Sequence, residues 1–131
     1  MIHFKGDVTM NEYYAGFLVY AGELYSVYFH AESYEFSSVQ EYYKDCDDVT
    51  RAGLLNLVKR ISDFGSIHDE TKFRIEDRQH KIYCFKPRKD RFFCFFIKDK
   101  KIIITSGYLK QKQKLDRREL EKAIRIKNQY Q

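Results

Sequence analysis

The sequence lacks tryptophan, and among its 131 residues it has only one proline and three cysteines. So little proline argues against long disordered linkers. No apolar run approaches the ~20 residues that a membrane-spanning helix needs. The first fourteen residues also lack the basic region followed by an apolar stretch that is typical of a signal peptide. We therefore expect one domain over residues 1–131, located in the cytoplasm.

The cysteines, Cys46, Cys84 and Cys94, are odd in number and lack the paired spacing of a disulfide framework or a zinc site. A four-residue loop at Pro87–Asp90 would place Cys84 opposite Phe93, so that Cys94 points to the other face of the sheet. A disulfide between Cys84 and Cys94 is the alternative, but we expect both to be small buried residues. No cluster of His, Cys and carboxylates is visible elsewhere, so the sequence predicts no metal and no cofactor.

Aromatic residues make up 17% of the chain, and they concentrate in one region. Within Ile82–Ala123, the apolar runs IYCF, FFCFFI and IIIT are separated by the basic turns PRKD and KDKK. Short aromatic and β-branched runs bounded by turn residues are typical of strands. The region therefore predicts a three-stranded antiparallel meander.

Two further apolar runs lie near the N-terminus, at Tyr14–Tyr20 and Leu24–His30. The short segment between them contains Gly22, which favours a hairpin. A helix through Asn11–Tyr28 is the alternative, but Gly16 and Gly22 would both destabilise it.

Helix-capping patterns occur early and late in the chain. Ser38 precedes Glu41 by three residues, a capping box that predicts a helix to about Asp45. Asp116 and Glu119 form the same kind of pattern and predict a C-terminal helix.

A second helix is predicted over Val49–Phe64, with Asp48 as its cap and Gly65 closing it. Its apolar residues have helical spacing and predict one buried face: they are Leu54, Leu55, Leu57, Val58, Ile61 and Phe64. Phe73 and Ile75 then alternate with charged residues, as in a half-buried strand. Together these elements predict an α+β fold, in which two N-terminal helices and a C-terminal helix accompany an antiparallel sheet.

Charge is divided unevenly along the chain. Residues 1–66 carry 5 Lys and Arg against 10 Asp and Glu, whereas residues 67–131 carry 19 against 9, a net charge of +10. A basic half of this kind attracts nucleic acid or an acidic protein. A solvated surface with no binding role is the alternative.

This order of elements resembles the RelE/ParE superfamily of bacterial toxins. The segments IYCFKPRKDRFFCFF and IIITSGYLKQKQKLDRRELEKAIRIKNQY are similar to its HigB-like, phage-derived branch, and LYSVYFHAESYEFSSVQEYY resembles its first strand and helix. The resemblance runs from Leu24 to the C-terminus and leaves residues 1–23 unassigned; an extra hairpin strand is one interpretation of that segment. The chain departs from this branch at three places. Lys86 stands where arginine is common, and Lys110-Gln111-Lys112 replaces two adjacent lysines. Asp116 stands where a proline usually begins the last helix.

The resemblance implies the toxin of a type II toxin–antitoxin system. Such a toxin would be an endoribonuclease that cleaves mRNA on the ribosome without a metal, and a cognate antitoxin would neutralise it. RNA cleavage without metal uses the 2′-OH as an internal nucleophile. The alternatives are a ParE-like inhibitor of DNA gyrase and an inactive phage-derived protein that only binds its partner.

Strand pairing selects the candidate catalytic residues. Across the first basic turn, Lys86 pairs with Arg91. If Asp99 and Lys100 form a two-residue turn, Lys98 pairs with Lys101. Counting back along both strands from that pair places Arg91 opposite Tyr108. Arginine suits a phosphate, a lysine crowded by cations can act as a base, and tyrosine can donate a proton. His80 is a fourth candidate acid or base, because histidine side chains can exchange protons near neutral pH.

Each candidate also has a purely structural interpretation. Lys86 and Arg91 could be solvated strand ends, and Tyr108 could be a core residue. His80 could be a turn residue without a catalytic role. Further cations in turns and in the connector before the last helix are predicted to contact RNA. These predicted RNA-binding residues are Arg78, Lys81, Arg88, Lys89, Lys110, Lys112 and Lys114.

Overall fold

The fold is seen in a computed structural model, which describes residues 2–4, 8–10 and 15–130. The described residues form eight strands and three helices. In chain order these are β1 (Ile2–Phe4), β2 (Val8–Met10), β3 (Ala15–Ala21), β4 (Ser26–Ala31), α1 (Ser38–Asp45), α2 (Asp48–Phe64), β5 (Phe73–Asp77), β6 (Ile82–Phe85), β7 (Asp90–Ile97), β8 (Lys101–Leu109) and α3 (Arg117–Asn128).

Six strands form the main sheet, in the order β3-β4-β8-β7-β6-β5, while β1 and β2 pair separately. Strands β6, β7 and β8 are the predicted antiparallel meander, and β5 extends it. The predicted hairpin is also confirmed, since β3 and β4 are antiparallel; Tyr14, where its first run was predicted to begin, lies outside the described residues. The sequence did not indicate that β4 pairs in parallel with β8.

Two departures from the predicted register of β7 and β8 cancel each other. Asp99 and Lys100 have positive φ, as the central residues of a type I′ turn do. Lys101, however, lies opposite Ile97 rather than Lys98, so the predicted pairing of the two lysines is wrong. An irregularity between Phe93 and Cys94 then shifts the register by one residue. Arg91 consequently lies opposite Tyr108, as predicted.

Helices cover both faces of the sheet. One cluster of buried residues packs α3 against one face, through Leu120, Ala123 and Ile126. A second cluster packs α1 and α2 against the other face, through Val39 of α1 and Leu54 and Val58 of α2. Because side chains alternate along each strand, the meander contributes residues to both clusters.

The helix caps confirm the predicted helices but correct two N-termini. The α1 helix is capped by Ser37, not Ser38, and its hydroxyl accepts a bond from the amide of Gln40. The α2 helix is capped by Asp47, one residue before the predicted cap. For α3 the cap is Asp116, as predicted.

The end of α2 differs from the prediction. Gly65 closes the helix in the left-handed conformation, with φ of 87°, as expected. Phe64, in contrast, was placed on the buried face and is 77% exposed. It is the last residue of the helix and does not belong to the buried cluster that contains Leu54, Val58 and Ile61.

The three cysteines are free thiols. Cys84 lies opposite Phe93 and belongs to the cluster under α3, whereas Cys94 belongs to the cluster under α1 and α2. The predicted placement on opposite faces is therefore confirmed. Over the described ranges, no helix is both long and apolar enough to cross a membrane.

Candidate active site

The predicted row of catalytic residues meets in one cleft. Lys86 follows the end of β6, Arg91 is the second residue of β7, and Tyr108 is near the end of β8. All three line a cleft of about 210 Å³ on the α3 face of the sheet. The other lining residues are Arg74, Glu76, Cys84, Lys110, Gln113 and Leu115.

A carboxylate of β5 organises the cations of this cleft. Glu76 Oε1 lies 3.0 Å from Lys86 Nζ and 3.4 Å from Arg74 Nε. The Lys86 and Glu76 side chains are only 11% and 12% exposed, whereas the Arg74 side chain is 48% exposed. The Lys86–Glu76 pair is therefore shielded from water, and it fixes the lysine at the edge of the cleft.

Arg91 is anchored by backbone oxygens and keeps a free donor. Its Nη1 donates to the carbonyl of Arg88 at 2.6 Å and to the carbonyl of Asp90 at 3.1 Å. Its Nε is buried and has no hydrogen-bond partner. A buried donor without a partner is costly, and an anion that enters the cleft could satisfy it.

Tyr108 presents a phenol that stays protonated at neutral pH. Burial raises the pKa of Tyr108 to about 12, helped by the neighbouring Cys84 thiol and opposed by a hydrogen bond from the Asp116 backbone. Its ring packs against Phe93, with centroids 5.6 Å apart. The hydroxyl is therefore protonated at neutral pH.

The cleft has an excess of positive charge. Among its described lining residues, four cations face a single carboxylate, that of Glu76. Positive charge in a walled cleft concentrates anionic ligands. The geometry and charge together suit a phosphodiester.

A larger cleft of about 470 Å³ adjoins the first, and the two share Tyr108, Lys110 and Leu115. It runs along the connector that leads from β8 to α3. The lysines predicted to bind RNA, Lys110, Lys112 and Lys114, line it together with Arg117 and Arg118. The amide of Lys110 donates to the carbonyl of Lys89, which ties the connector to the loop after β6.

The remaining predicted residues are divided between the two ends of the sheet. Arg88 and Lys89 lie in the exposed loop beside the cleft, where Arg88 approaches Asp47 at 3.8 Å. Arg78, Lys81 and His80 lie in the turn before β6.

His80 is not brought to the cleft. Its Nδ1 pairs with Asp77 Oδ2 at 2.7 Å. The β6 strand, about 13 Å long at ~3.3 Å per residue, separates His80 from Lys86.

Arg74, Glu76 and Gln113 were not singled out from the sequence. Alternation along β5 predicts that its charged residues face solvent, but Glu76 is largely buried in the cleft beside Gln113 and Leu115 of the connector. The pairing of β5 with β6 could have identified this face of the strand, because it places Arg74 opposite Cys84. No group of three or more His, Cys, Asp and Glu residues is placed to hold a metal ion anywhere in residues 2–4, 8–10 and 15–130.

The sequence is similar to a known protein family. A family model described as "Phage derived protein Gp49-like (DUF891)" matches residues 41–128. The matched segment begins within α1 and includes every residue that lines the two clefts. No curated protein matches the chain.

Proposed function

Because the chain belongs to the phage-derived Gp49-like family, a RelE-like family of toxin-like proteins, we propose that it is a HigB-like toxin that cleaves mRNA on the ribosome. The observation that carries the proposal is the meeting of Lys86, Arg91 and Tyr108 in one positively charged cleft. This combination suits a phosphodiester whose cleavage needs charge stabilisation and a proton donor.

The proposed reaction requires no metal ion. The ribose 2′-OH attacks the adjacent phosphorus, its proton goes to a base, and the bond from phosphorus to the 5′ oxygen breaks. The leaving 5′ oxygen takes a proton from an acid. The products are a 2′,3′-cyclic phosphate and a 5′-OH end.

Four residues of the cleft have roles in this scheme. Arg91 offers its unpaired Nε to a phosphate oxygen, and Lys86 contacts the same phosphate. Tyr108 donates the proton, because its phenol is protonated at neutral pH. Glu76 is the only carboxylate among the described lining residues and accepts the 2′-OH proton.

The connector supplies the path for the rest of the RNA. Lys110, Lys112 and Lys114 follow the larger cleft from Tyr108 towards α3. Lysines that contact phosphates hold the strand without reading its sequence. Selection of the cleaved codon would then depend on the ribosome and on contacts near the scissile bond.

A separate acidic antitoxin is the proposed partner in the cytoplasm. The basis is the net charge of +10 over residues 67–131. An acidic segment lying over the connector and the loop after β6 would exclude RNA from both clefts. We expect salt to weaken the pairing if exposed charges dominate it.

The direct test is cleavage of a ribosome-bound mRNA by purified variants. Arg91→Ala and Tyr108→Phe should each slow cleavage about 100- to 1000-fold, the usual cost of losing one donor to a transition-state charge. Arg125→Ala alters an exposed cation of α3 and is the matched control. Circular dichroism shows whether each variant is folded.

Two further readouts test the chemistry. An mRNA with a 2′-deoxy nucleotide at the cleaved position should resist the protein, and the product should carry a 2′,3′-cyclic phosphate. A folded Glu76→Gln variant that cuts at the parental rate would exclude Glu76 as the base. Folded Arg91→Ala and Tyr108→Phe variants with parental activity would refute the assignment of the cleft.

Expression in cells separates the alternatives. The proposal predicts growth arrest with loss of mRNA, whereas a gyrase inhibitor changes plasmid topology and leaves mRNA intact. Normal growth despite abundant folded protein would favour a protein that only binds a partner.

A further inference from the structure

A second cavity lies at the opposite end of the sheet, near the end of α2 and the turn that precedes β6. Its volume is about 410 Å³, and no acidic residue is among its described lining residues. The lining residues are Tyr25, Ile61, Gly65, Ser66, Ile67, Phe73, Lys81, Tyr83, Phe96 and Lys127. We refer to it as the aromatic pocket.

Four rings give the aromatic pocket its walls. Tyr25 and Tyr83 pack edge-on against Phe96, with centroids 5.3 Å and 5.1 Å away. Tyr83 also stacks on Phe73 at 5.5 Å. Because these rings hold one another in position, the apolar surface is already formed before a ligand binds. Binding therefore costs little free energy for ordering the pocket.

Exposed apolar side chains extend this surface outward. Phe64 is 77% exposed and Leu24 is 41% exposed. Both neighbour Gly65, which lines the pocket: Phe64 precedes it, and a Cβ at Gly65 would lie 3.0 Å from Leu24 Cδ1. A pocket that continues into exposed large apolar residues is typical of a protein interaction site.

The charge of the rim indicates what kind of partner fits. Lys81 and Lys127 line the pocket, and Lys127 Nζ donates to the carbonyl of His80. Burial and the positive charge of Lys81 lower the pKa of Lys127, while the carboxylate of Asp77, which pairs with His80, opposes that shift. Two lysines close enough to affect one another favour a ligand that brings carboxylates.

We propose that the aromatic pocket docks a segment of a partner protein in which a large apolar side chain is flanked by acidic residues. The apolar side chain would enter between the rings and cover Phe64 and Leu24, while the carboxylates would reach Lys81 and Lys127. Nucleic acid fits less well, because its phosphates would use the lysines but leave the exposed apolar residues uncovered.

This docking site is independent of the proposed RNA cleavage. Lys81 and Lys86 lie beyond opposite ends of β6, so occupation of the aromatic pocket leaves the cleft open. A partner held here could therefore remain bound while RNA occupies the cleft.

A synthetic peptide provides the test, because the chain itself has no tryptophan. The probe is a blocked eight-residue peptide with a central Trp-Leu pair flanked by Asp and Glu, and its tryptophan emission reports burial. We expect a blue shift on binding. Amide chemical shifts in a nitrogen-15 spectrum should change at Gly65, Ser66 and Ile67 and not at the cleft.

Two exposed positions distinguish this pocket from other surfaces. Phe64→Ser should lower the affinity for the peptide about fivefold, because apolar contact is lost. Lys81→Glu should lower the affinity by a similar factor, because it reverses the charge. Arg125→Glu reverses an exposed charge on α3 and should leave the affinity unchanged. Circular dichroism checks folding of all three variants.

Several results would overturn the proposal. One is the absence of shifts at these amides with the peptide in large excess. Others are equal binding by Phe64→Ser and Lys81→Glu, or by a peptide with Lys and Arg in place of its acids. Tighter binding of a single-stranded RNA octamer, lost in the Lys81→Glu variant, would assign the pocket to nucleic acid instead.

Discussion

Replacement of Glu76 by glutamine tests how strongly the cleft depends on its buried ion pair. Glutamine keeps the shape of the side chain and removes its charge. Lys86, whose side chain is 11% exposed, would then have lost its carboxylate partner. Arg74 would lose the same partner, but its side chain is 48% exposed and water can replace the contact.

The expected loss of stability follows from these exposures. Removing one partner of a fully buried pair costs about 3–5 kcal/mol, whereas exposed pairs contribute about 0–1 kcal/mol. The Lys86–Glu76 pair lies near the buried limit, and glutamine still offers an acceptor. We expect Glu76→Gln to lower the free energy of unfolding by about 2–4 kcal/mol. For a chain of this length that lowers Tm by roughly 8–15 °C.

Urea and thermal unfolding measure this loss, and a double-mutant cycle assigns it. Lys86→Met in the Glu76→Gln background removes the unpaired charge and should recover most of the stability. Glu41→Gln is the matched control, since the Lys44–Glu41 pair is 60% and 52% exposed and should cost less than about 0.5 kcal/mol. A Glu76→Gln variant as stable as Glu41→Gln, with no coupling to Lys86, would refute the reasoning.

Three further predictions concern the clefts and the core. Lys112→Ala should weaken RNA binding by a similar factor for all sequences and reduce the salt slope by about 1, measured by titration at several salt concentrations. Gly107→Ala should destabilise the fold by about 1–3 kcal/mol in urea unfolding, since its Cβ would lie 2.7 Å from Tyr42 and 2.9 Å from Phe92. Burial raises the pKa of Cys84 to about 12, so at pH 9 iodoacetamide should alkylate it slowly in the folded protein and rapidly in urea, as mass spectrometry would show. A Lys112→Ala variant with parental salt dependence would contradict the first prediction, and a Gly107→Ala variant with parental stability would contradict the second. Rapid alkylation of Cys84 in the folded protein would contradict the third.

Short-range patterns predicted most of the secondary structure. The runs that became β6, β7 and β8 combine aromatic and β-branched residues between turn residues, and that local preference agrees with their place in the sheet. Asp116 caps α3 because its carboxylate reaches amides only two and three residues away. The caps at Ser37 and Asp47 were each missed by one residue, because two suitable residues stand side by side at each position.

The candidate site was predicted in part, and for a partly fortuitous reason. Pairing arguments brought Lys86, Arg91 and Tyr108 together, although the turn at Lys98–Lys101 pairs differently and an irregularity near Phe93 restores the register. The roles proposed for these residues stay predictions. Glu76 could not be identified this way. Alternation shows that the two faces of β5 differ in polarity, but it does not show which face other elements will cover.

By itself, the sequence determined where strands and helices form, how charge divides along the chain and which cations can share one face. Those features depend on neighbours within a few residues. Tertiary structure alone decided that β4 joins β8 in parallel, that Glu76 of β5 lines the cleft beside the connector, and that Phe64 lies exposed beside the aromatic pocket. These outcomes depend on contacts between segments far apart in the chain, where the packing of whole elements outweighs local preference.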